Sequence, residues 1–212
     1  MSTGPSGLAR IKDGYTTGAR GLASRAVGNL AQTRVTPNQL TTAGVSLCLG
    51  SSVLVWFEYR DEKLYFWLGA AVFVIGSLLD ILDGALARAG GKATPLGAFV
   101  DSTTDRIGEA AMLAAIGLVF MRHGHEFALG ATFAAVAGSF LVSYTRARAE
   151  ALGLRGDVGL SSRAERVVIV TAGLVLAPWG LLPWAIYVLT ASAWVTVLQR
   201  TLFVRKQLRE RS

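Results

Sequence analysis

Six apolar blocks, each close to the ~20 residues a helix needs to cross a hydrocarbon core, limit what this chain can fold into. They run over 38–57, 65–87, 98–121, 127–147, 164–181 and 183–203. The stretch WLGAAVFVIGSLL (67–79) is apolar on every helical face, which argues against a soluble bundle with one wet side. The first, fifth and sixth blocks read as plain lipid-like runs, whereas the second to fourth are apolar in one half and carry polar groups in the other. The hydrophobic share, 52% of 212 residues, is above that of an ordinary soluble domain. The expectation is an all-α integral membrane protein with six transmembrane helices. One domain fits the whole chain: a juxtamembrane segment at 1–37, a six-helix bundle at 38–204 and a basic tail at 205–212.

The basic residues orient these spans. Of 21 Lys and Arg, only Arg60, Lys63 and Arg122 fall in the loops after spans one and three, and the loop between spans five and six has no charge. Alternate loops are therefore basic, which predicts an even number of spans with both termini cytoplasmic, in the cell membrane. Topology thus accounts for the net charge of +7 without a nucleic-acid partner. No apolar h-region precedes residue 40, so a signal peptide is not expected. Instead Leu8, Ile11, Tyr15, Ala19, Leu22 and Ala26 recur at helical spacing, with Arg10, Lys12, Asp13, Arg20 and Arg25 around the other side. This pattern predicts an N-terminal amphipathic helix on the cytoplasmic membrane surface, where anionic lipid favours its basic side. Thr36 reads as the N-cap of span one, with Pro37 in the first turn. The lone Cys48 reads as a small buried apolar residue. Trp179 and Trp184 fit an interfacial belt, and His123 and His125 fit a surface loop on the opposite side from the termini.

Acidic residues inside this apolar frame carry the chemistry. Asp80 and Asp83 end span two at i,i+3, and Asp101 and Asp105 begin span three at i,i+4. Each spacing puts two carboxylates on one helix face. The short junction Ala89–Pro95 predicts that the two helices are antiparallel neighbours with the pairs face to face. Each acidic group costs about 2.5–3.5 kcal/mol within a span, so the cluster needs compensation. Carboxylate oxygens suit Mg²⁺ or Mn²⁺. Four of them can hold two ions, an arrangement that serves phosphoryl transfer. Helix caps, ion pairs with Arg88 and Arg106, or an ion pathway are the competing readings. Gly84, Ala87 and Gly97 leave room for a phosphate between the pairs, and Arg88 offers a planar fork to bind it.

Residues 80–105 read D-x-x-D-G-x-x-A-R-x₈-G-x₃-D-x₃-D. This resembles the signature of the CDP-alcohol phosphotransferase family of integral membrane enzymes. Thr36-Pro37-Asn38-Gln39-Leu40-Thr41 is similar to the family's element before the first span. The resemblance implies that a CDP-linked lipid, CDP-diacylglycerol, binds with its diphosphate on the metals. An acceptor hydroxyl attacks the β-phosphorus and CMP leaves. It implies that Asp80, Asp83 and Asp101 are metal ligands and that Asp105 is both ligand and general base. It puts Asn38, Thr41, Gly84, Arg88 and Thr94 on the cytidine diphosphate, with backbone contacts from Gln39 and Leu40. It also implies a homodimer.

The acceptor alcohol is read from elsewhere. The segment SYTRARAEALGLRGDVGLSSRAER (143–166) is similar to the actinobacterial branch whose acceptor is myo-inositol phosphate. The resemblance assigns the acceptor phosphate to Ser143, Arg146, Arg166 and Arg200, three arginines suiting a phosphate dianion. Arg148, Arg155 and Arg163 are expected to face solvent or lipid phosphate. Glu109, one turn beyond Asp105, either supports the cluster or pairs with a neighbouring helix. The alternatives are glycerol 3-phosphate as acceptor, giving phosphatidylglycerol phosphate, or a non-enzymatic ion carrier.

Overall fold

The computed structural model describes residues 36–91 and 94–211. The expected surface helix of residues 8–26 and the junction residue Lys92 lie outside the described residues. The described chain is helical, without strands. Helix α1 spans Pro37–Trp56, α2 Glu62–Ala89, α3 Pro95–Arg122, α4 Glu126–Ala151, α5 Arg163–Leu176 and α6 Leu182–Arg211. Single 3₁₀ turns, Phe57–Tyr59 and Ala177–Trp179, close α1 and α5.

The helix starts follow the sequence chemistry. Thr36 caps α1 by accepting from Gln39 N, while the Gln39 side chain accepts from Thr36 N. This reciprocal box meets two otherwise orphaned donors, and Pro37 fits the first turn because it has none to lose. Asp61 caps α2 and Thr94 caps α3 in the same way, through Leu64 N and Gly97 N.

Four helices are long and apolar enough to cross a membrane: Pro37–Tyr59 with its 3₁₀ turn, α2, α4 and α6. Helix α3 carries Asp101, Asp105, Arg106 and Glu109 in its first half, and those charges dilute its hydropathy. Helix α5 is 14 residues long and continues into a 3₁₀ turn.

Helix α1 packs along both α2 and α3, while α2 and α3 barely touch one another. This corrects the expectation of two directly packed antiparallel neighbours. Small residues explain it. A Cβ on Gly76 of α2 would lie 2.9 Å from the Gly44 carbonyl and the Cys48 Sγ of α1, and one on Gly108 of α3 would lie 3.0 Å from Cys48 Cβ. Helix α1 thus sits close against both carboxylate-bearing helices, and Cys48 is buried between them. Helix α5 packs on α2 and α6, and α4 on α6 and α3. The main apolar core, including Val55, Phe66, Met112, Ile116, Leu174 and Ile186, fills the half of the bundle remote from the aspartates. That remote end is tied by buried Glu58, which pairs with Arg122 and with His123 at 3.3 Å. His123 is therefore more than a free surface group.

Candidate active site

The C-terminal half of α2 and the N-terminal half of α3 bring the aspartates to the other end. Carboxylate oxygens of Asp80, Asp101 and Asp105 lie within 4.8 Å of one another. Asp83 faces a different way. It accepts a short hydrogen bond from the Thr41 hydroxyl of α1, and its Oδ1 is buried with no hydrogen-bond partner. A buried orphan carboxylate oxygen costs free energy until something positive meets it. Three converging carboxylates plus that orphan form an all-oxygen donor set, the kind hard divalent cations prefer. The residues present therefore fit a divalent cation.

Two cavities meet at this cluster. The larger, about 540 Å³, is lined by Thr36, Asn38, Thr41, Asp83, Gly84, Arg88, Thr94, Gly97 and Asp101, among others. It contains five of the residues that the sequence pattern puts on a cytidine diphosphate: Asn38, Thr41, Gly84, Arg88 and Thr94. Gln39 and Leu40 are outside it. Gln39 is engaged in the helix cap and Leu40 is buried against Leu86. The N-termini of α1 and α3 both open onto this space, through Thr36–Asn38 and Thr94–Ala98. Helix N-termini present backbone N–H groups and positive partial charge, which suit phosphate. Arg88 adds a full charge, and its Nη1 lies 3.3 Å from where a Gly84 Cβ would be. Gly84 thus leaves the guanidinium room to lie along its own helix.

The smaller cavity, about 20 Å³, is lined by Asp80, Asp105, Glu109, Arg163 and Arg166 with Gly44, Cys48, Ser77 and Gly108. Val45 and Thr104 line both spaces. The carboxylate cluster is therefore a wall, with Asp83 and Asp101 on one side and Asp80 and Asp105 on the other.

The arginines differ from expectation. Arg163, expected at the solvent or lipid surface, turns inward. Its Nη1 pairs with Asp80 Oδ2 and with Asp105 Oδ1. The physical reason is the repulsion among the carboxylates, which the first guanidinium of α5 is close enough to relieve. Its i,i+3 relation to Arg166 was the signal that could have found it, since both share a helix face. Arg166 is buried, and it donates bidentately to Glu109 at 2.7 and 3.0 Å and to the Ser161 carbonyl at 3.2 Å. Glu109 therefore pairs with a neighbouring helix, and Arg166 reaches the smaller cavity already neutralised.

Arg146 is exposed, paired with Glu150 at 2.9 Å, while Ser143 is half-buried one turn before it. Arg200 lines neither cavity. It is buried and donates to the Val158 carbonyl at 3.1 and 2.9 Å and to the Val142 carbonyl. A buried guanidinium must satisfy its donors, and here the loop 152–162 and α4 supply the acceptors. The same loop is held by Thr196, whose Oγ1 accepts from Leu160 N and Ser161 N at 3.1 and 2.9 Å. Gly159, at φ 130°, lies so close to Thr196 that a Cβ would come within 2.3 Å of its methyl. Only glycine meets both demands. Helix α6 thus fixes the loop, and the loop fixes the start of α5 with its two inward arginines.

The geometry is a cluster of acidic donors beside a cavity bordered by two helix N-termini and Arg88. Residues 34–199 match the CDP-alcohol phosphatidyltransferase family model. The chain belongs to the CDP-alcohol phosphatidyltransferase family, an enzyme family. It is 40% identical to phosphatidylinositol phosphate synthase of Mycolicibacterium smegmatis, over 81% of this chain and 78% of that protein. It is 34% identical to archaetidylinositol phosphate synthase of Pyrococcus horikoshii, over 84% and 88%. Among solved structures it is similar to phosphatidylinositol phosphate synthase of Mycobacterium tuberculosis. The form with CDP-DAG bound gives a TM-score of 0.76 at 29% identity, covering 86% of this chain and 92% of that one. The form in complex with manganese and citrate gives 0.76 at 30% identity, covering 86% and 88%.

Proposed function

We propose that the chain transfers the phosphatidyl group of CDP-diacylglycerol to a hydroxyl of myo-inositol phosphate, releasing CMP. The observation that carries this reading is the carboxylate wall between two cavities, one suited to a diphosphate and one bordered by arginines. The M. tuberculosis relative has been seen with CDP-DAG, and the other two named relatives are a phosphatidylinositol phosphate synthase and an archaetidylinositol phosphate synthase. Glycerol 3-phosphate remains the competing acceptor, because it too carries a phosphate.

In this reading Asp80, Asp83, Asp101 and Asp105 hold two divalent cations, Mg²⁺ or Mn²⁺. When bound, these cations neutralise charge on the transferring phosphoryl group and its leaving oxygen. Asn38, Thr41, Gly84, Arg88 and Thr94 cradle the cytidine diphosphate between the two helix N-termini. Gln39 acts through the cap that orients this turn. Asp105, on the wall facing the smaller cavity, takes the proton from the acceptor hydroxyl as it attacks. The acceptor phosphate is met by Ser143, Arg146, Arg166 and Arg200. What supports this is that Arg166 lines the smaller cavity beside Asp105.

The same reading has six helices crossing the cell membrane, with both termini and the carboxylate end cytoplasmic. The alternating basic loops support it. So does the length of α5 with its 3₁₀ turn: 17 residues from Arg163 to Trp179 rise about 25 Å at ~1.5 Å each. Assembly as a homodimer follows from the family resemblance.

The test uses vesicles containing the protein, CDP-diacylglycerol and Mg²⁺, with inositol phosphate or glycerol 3-phosphate. CMP release with inositol phosphate is expected. Release only with glycerol 3-phosphate would defeat the acceptor assignment, and no release with any alcohol would defeat the enzyme reading. Asp105→Asn should abolish turnover yet keep CDP-lipid binding measurable; retained turnover would remove its role as base.

A further inference from the structure

Arg163 has no place in the reaction so far, yet it makes the most intimate contact with the acidic cluster. One nitrogen, Nη1, sits in the notch between Asp80 and Asp105 and touches an oxygen of each. Asp80 is buried and Asp105 largely so, while the Arg163 side chain is about one-third exposed. The guanidinium therefore reaches in from the rim of the cluster. Arg166, one turn further along α5, is held by a bidentate carboxylate and a carbonyl. Among the described residues Arg163 pairs only with the two aspartates. Of these two neighbouring cations, one is locked and the other is held, among the described residues, by groups that also suit a divalent cation.

We propose that Arg163 is the built-in counter-ion of the metal centre, a positioning residue that shares Asp80 and Asp105 with the cation. The inference rests on the metal-centre reading above. With its charge in the notch, Arg163 holds Asp80 and Asp105 together against their mutual repulsion. It competes with an entering cation for these carboxylates, because the two positive charges repel one another across the shared ligands. Its exposed side gives the guanidinium a path toward the cavity mouth. The consequence is a metal centre that stays assembled between turnovers at the cost of some affinity. The loop clamp of Arg200 and Thr196 matters here, because it fixes the backbone from which Arg163 reaches.

The test measures Mn²⁺ binding by the loss of the free-ion paramagnetic resonance signal, on purified full-length protein in lipid nanodiscs. Arg163→Ala should lower the apparent Kd for Mn²⁺ about tenfold, roughly 1.4 kcal/mol of relieved competition. Arg163→Lys, which keeps the charge, should bind near the wild-type value. In EDTA the Arg163→Ala protein should melt several degrees below wild type, and Mn²⁺ should close that gap. Arg163→Gln serves in the same assay if the alanine protein fails to fold. A merely structural arginine would lower melting with and without Mn²⁺ and would not tighten binding. Equal or weaker Mn²⁺ affinity in the neutral variants would overturn the proposal. Wild-type protein that binds no Mn²⁺ would instead overturn the metal-centre reading on which it stands.

Discussion

Gly76→Ala tests how tightly helix approach sets the chemistry. The added Cβ would lie 2.9 Å from the Gly44 carbonyl oxygen, 2.9 Å from Cys48 Sγ and 3.1 Å from Cys48 N, whereas ordinary contact begins at 3.4 Å. Two of these atoms are backbone, so no rotamer change relieves the clash. Helices α1 and α2 must part by about 0.5 Å. Overpacking of this kind costs about 1–3 kcal/mol in stability. Asp80 lies one turn beyond Gly76 on the same helix and moves with it. Reactive geometry tolerates about 0.5 Å, and a 1 Å error costs on the order of 10² in rate, so kcat should fall about tenfold. The acceptor KM should change little, because the inward arginines sit on α5. Thermal unfolding and CMP release, measured on the same nanodisc preparation, check both effects. Wild-type turnover with an unshifted melting temperature would refute the claim that this contact positions Asp80.

Three further substitutions probe separate parts of the site. Thr41→Val removes the hydroxyl that bonds Asp83 and leaves both its oxygens unmet; the loss of about 1–3 kcal/mol should appear as at least a several-fold higher KM for the CDP-lipid. Glu109→Ala strands the buried Arg166 guanidinium; a cost of about 3–5 kcal/mol should lower the melting temperature, and Glu109→Gln should recover part of it. Arg200→Lys keeps the charge but loses the fork to Val158 and Val142; protease should then cut the 152–162 loop faster, with the acceptor KM rising more than that of the CDP-lipid.

What the sequence made legible follows from distance along the chain. The cap at Thr36 and the faces of the aspartate pairs lie within single helix turns. Periodicity and capping chemistry determine such relations. The residues around the larger cavity were implied by the family resemblance. The insertion of α1 between α2 and α3 was not legible, because it depends on Gly76 and Gly108 lining up against Gly44 and Cys48 across three helices. The arginines show the same limit. Whether Arg163 faces lipid or aspartate depends on the rotation of α5, and a loop folded against α6 sets that rotation. Arg200, read as an acceptor ligand, is also bonded to carbonyls of that loop and of α4, a long-range relation that no local pattern announces. Asp83 separated from its partners for a similarly distant reason, the Thr41 hydroxyl on another helix.

In the proposed reading the two substrates meet different parts of the chain. The larger cavity is lined entirely by residues between Thr36 and Thr104, on α1 to α3. The smaller one adds α5, whose orientation depends on α6 through the clamped loop. In the proposed reading, donor handling and metal binding thus reside in a nearly contiguous segment, whereas acceptor handling depends on long-range packing. Changes in α4 to α6 can alter the alcohol without disturbing the carboxylate wall. Changes at the mouth of the larger cavity can alter the lipid while leaving the arginine side intact. Similarity to both a phosphatidylinositol and an archaetidylinositol phosphate synthase is what such a division allows, since those names differ in the lipid and share the inositol phosphate. Exchange of residues 143–166 with a family member using another alcohol should accordingly move acceptor preference alone, whereas exchange of 36–104 should leave it in place.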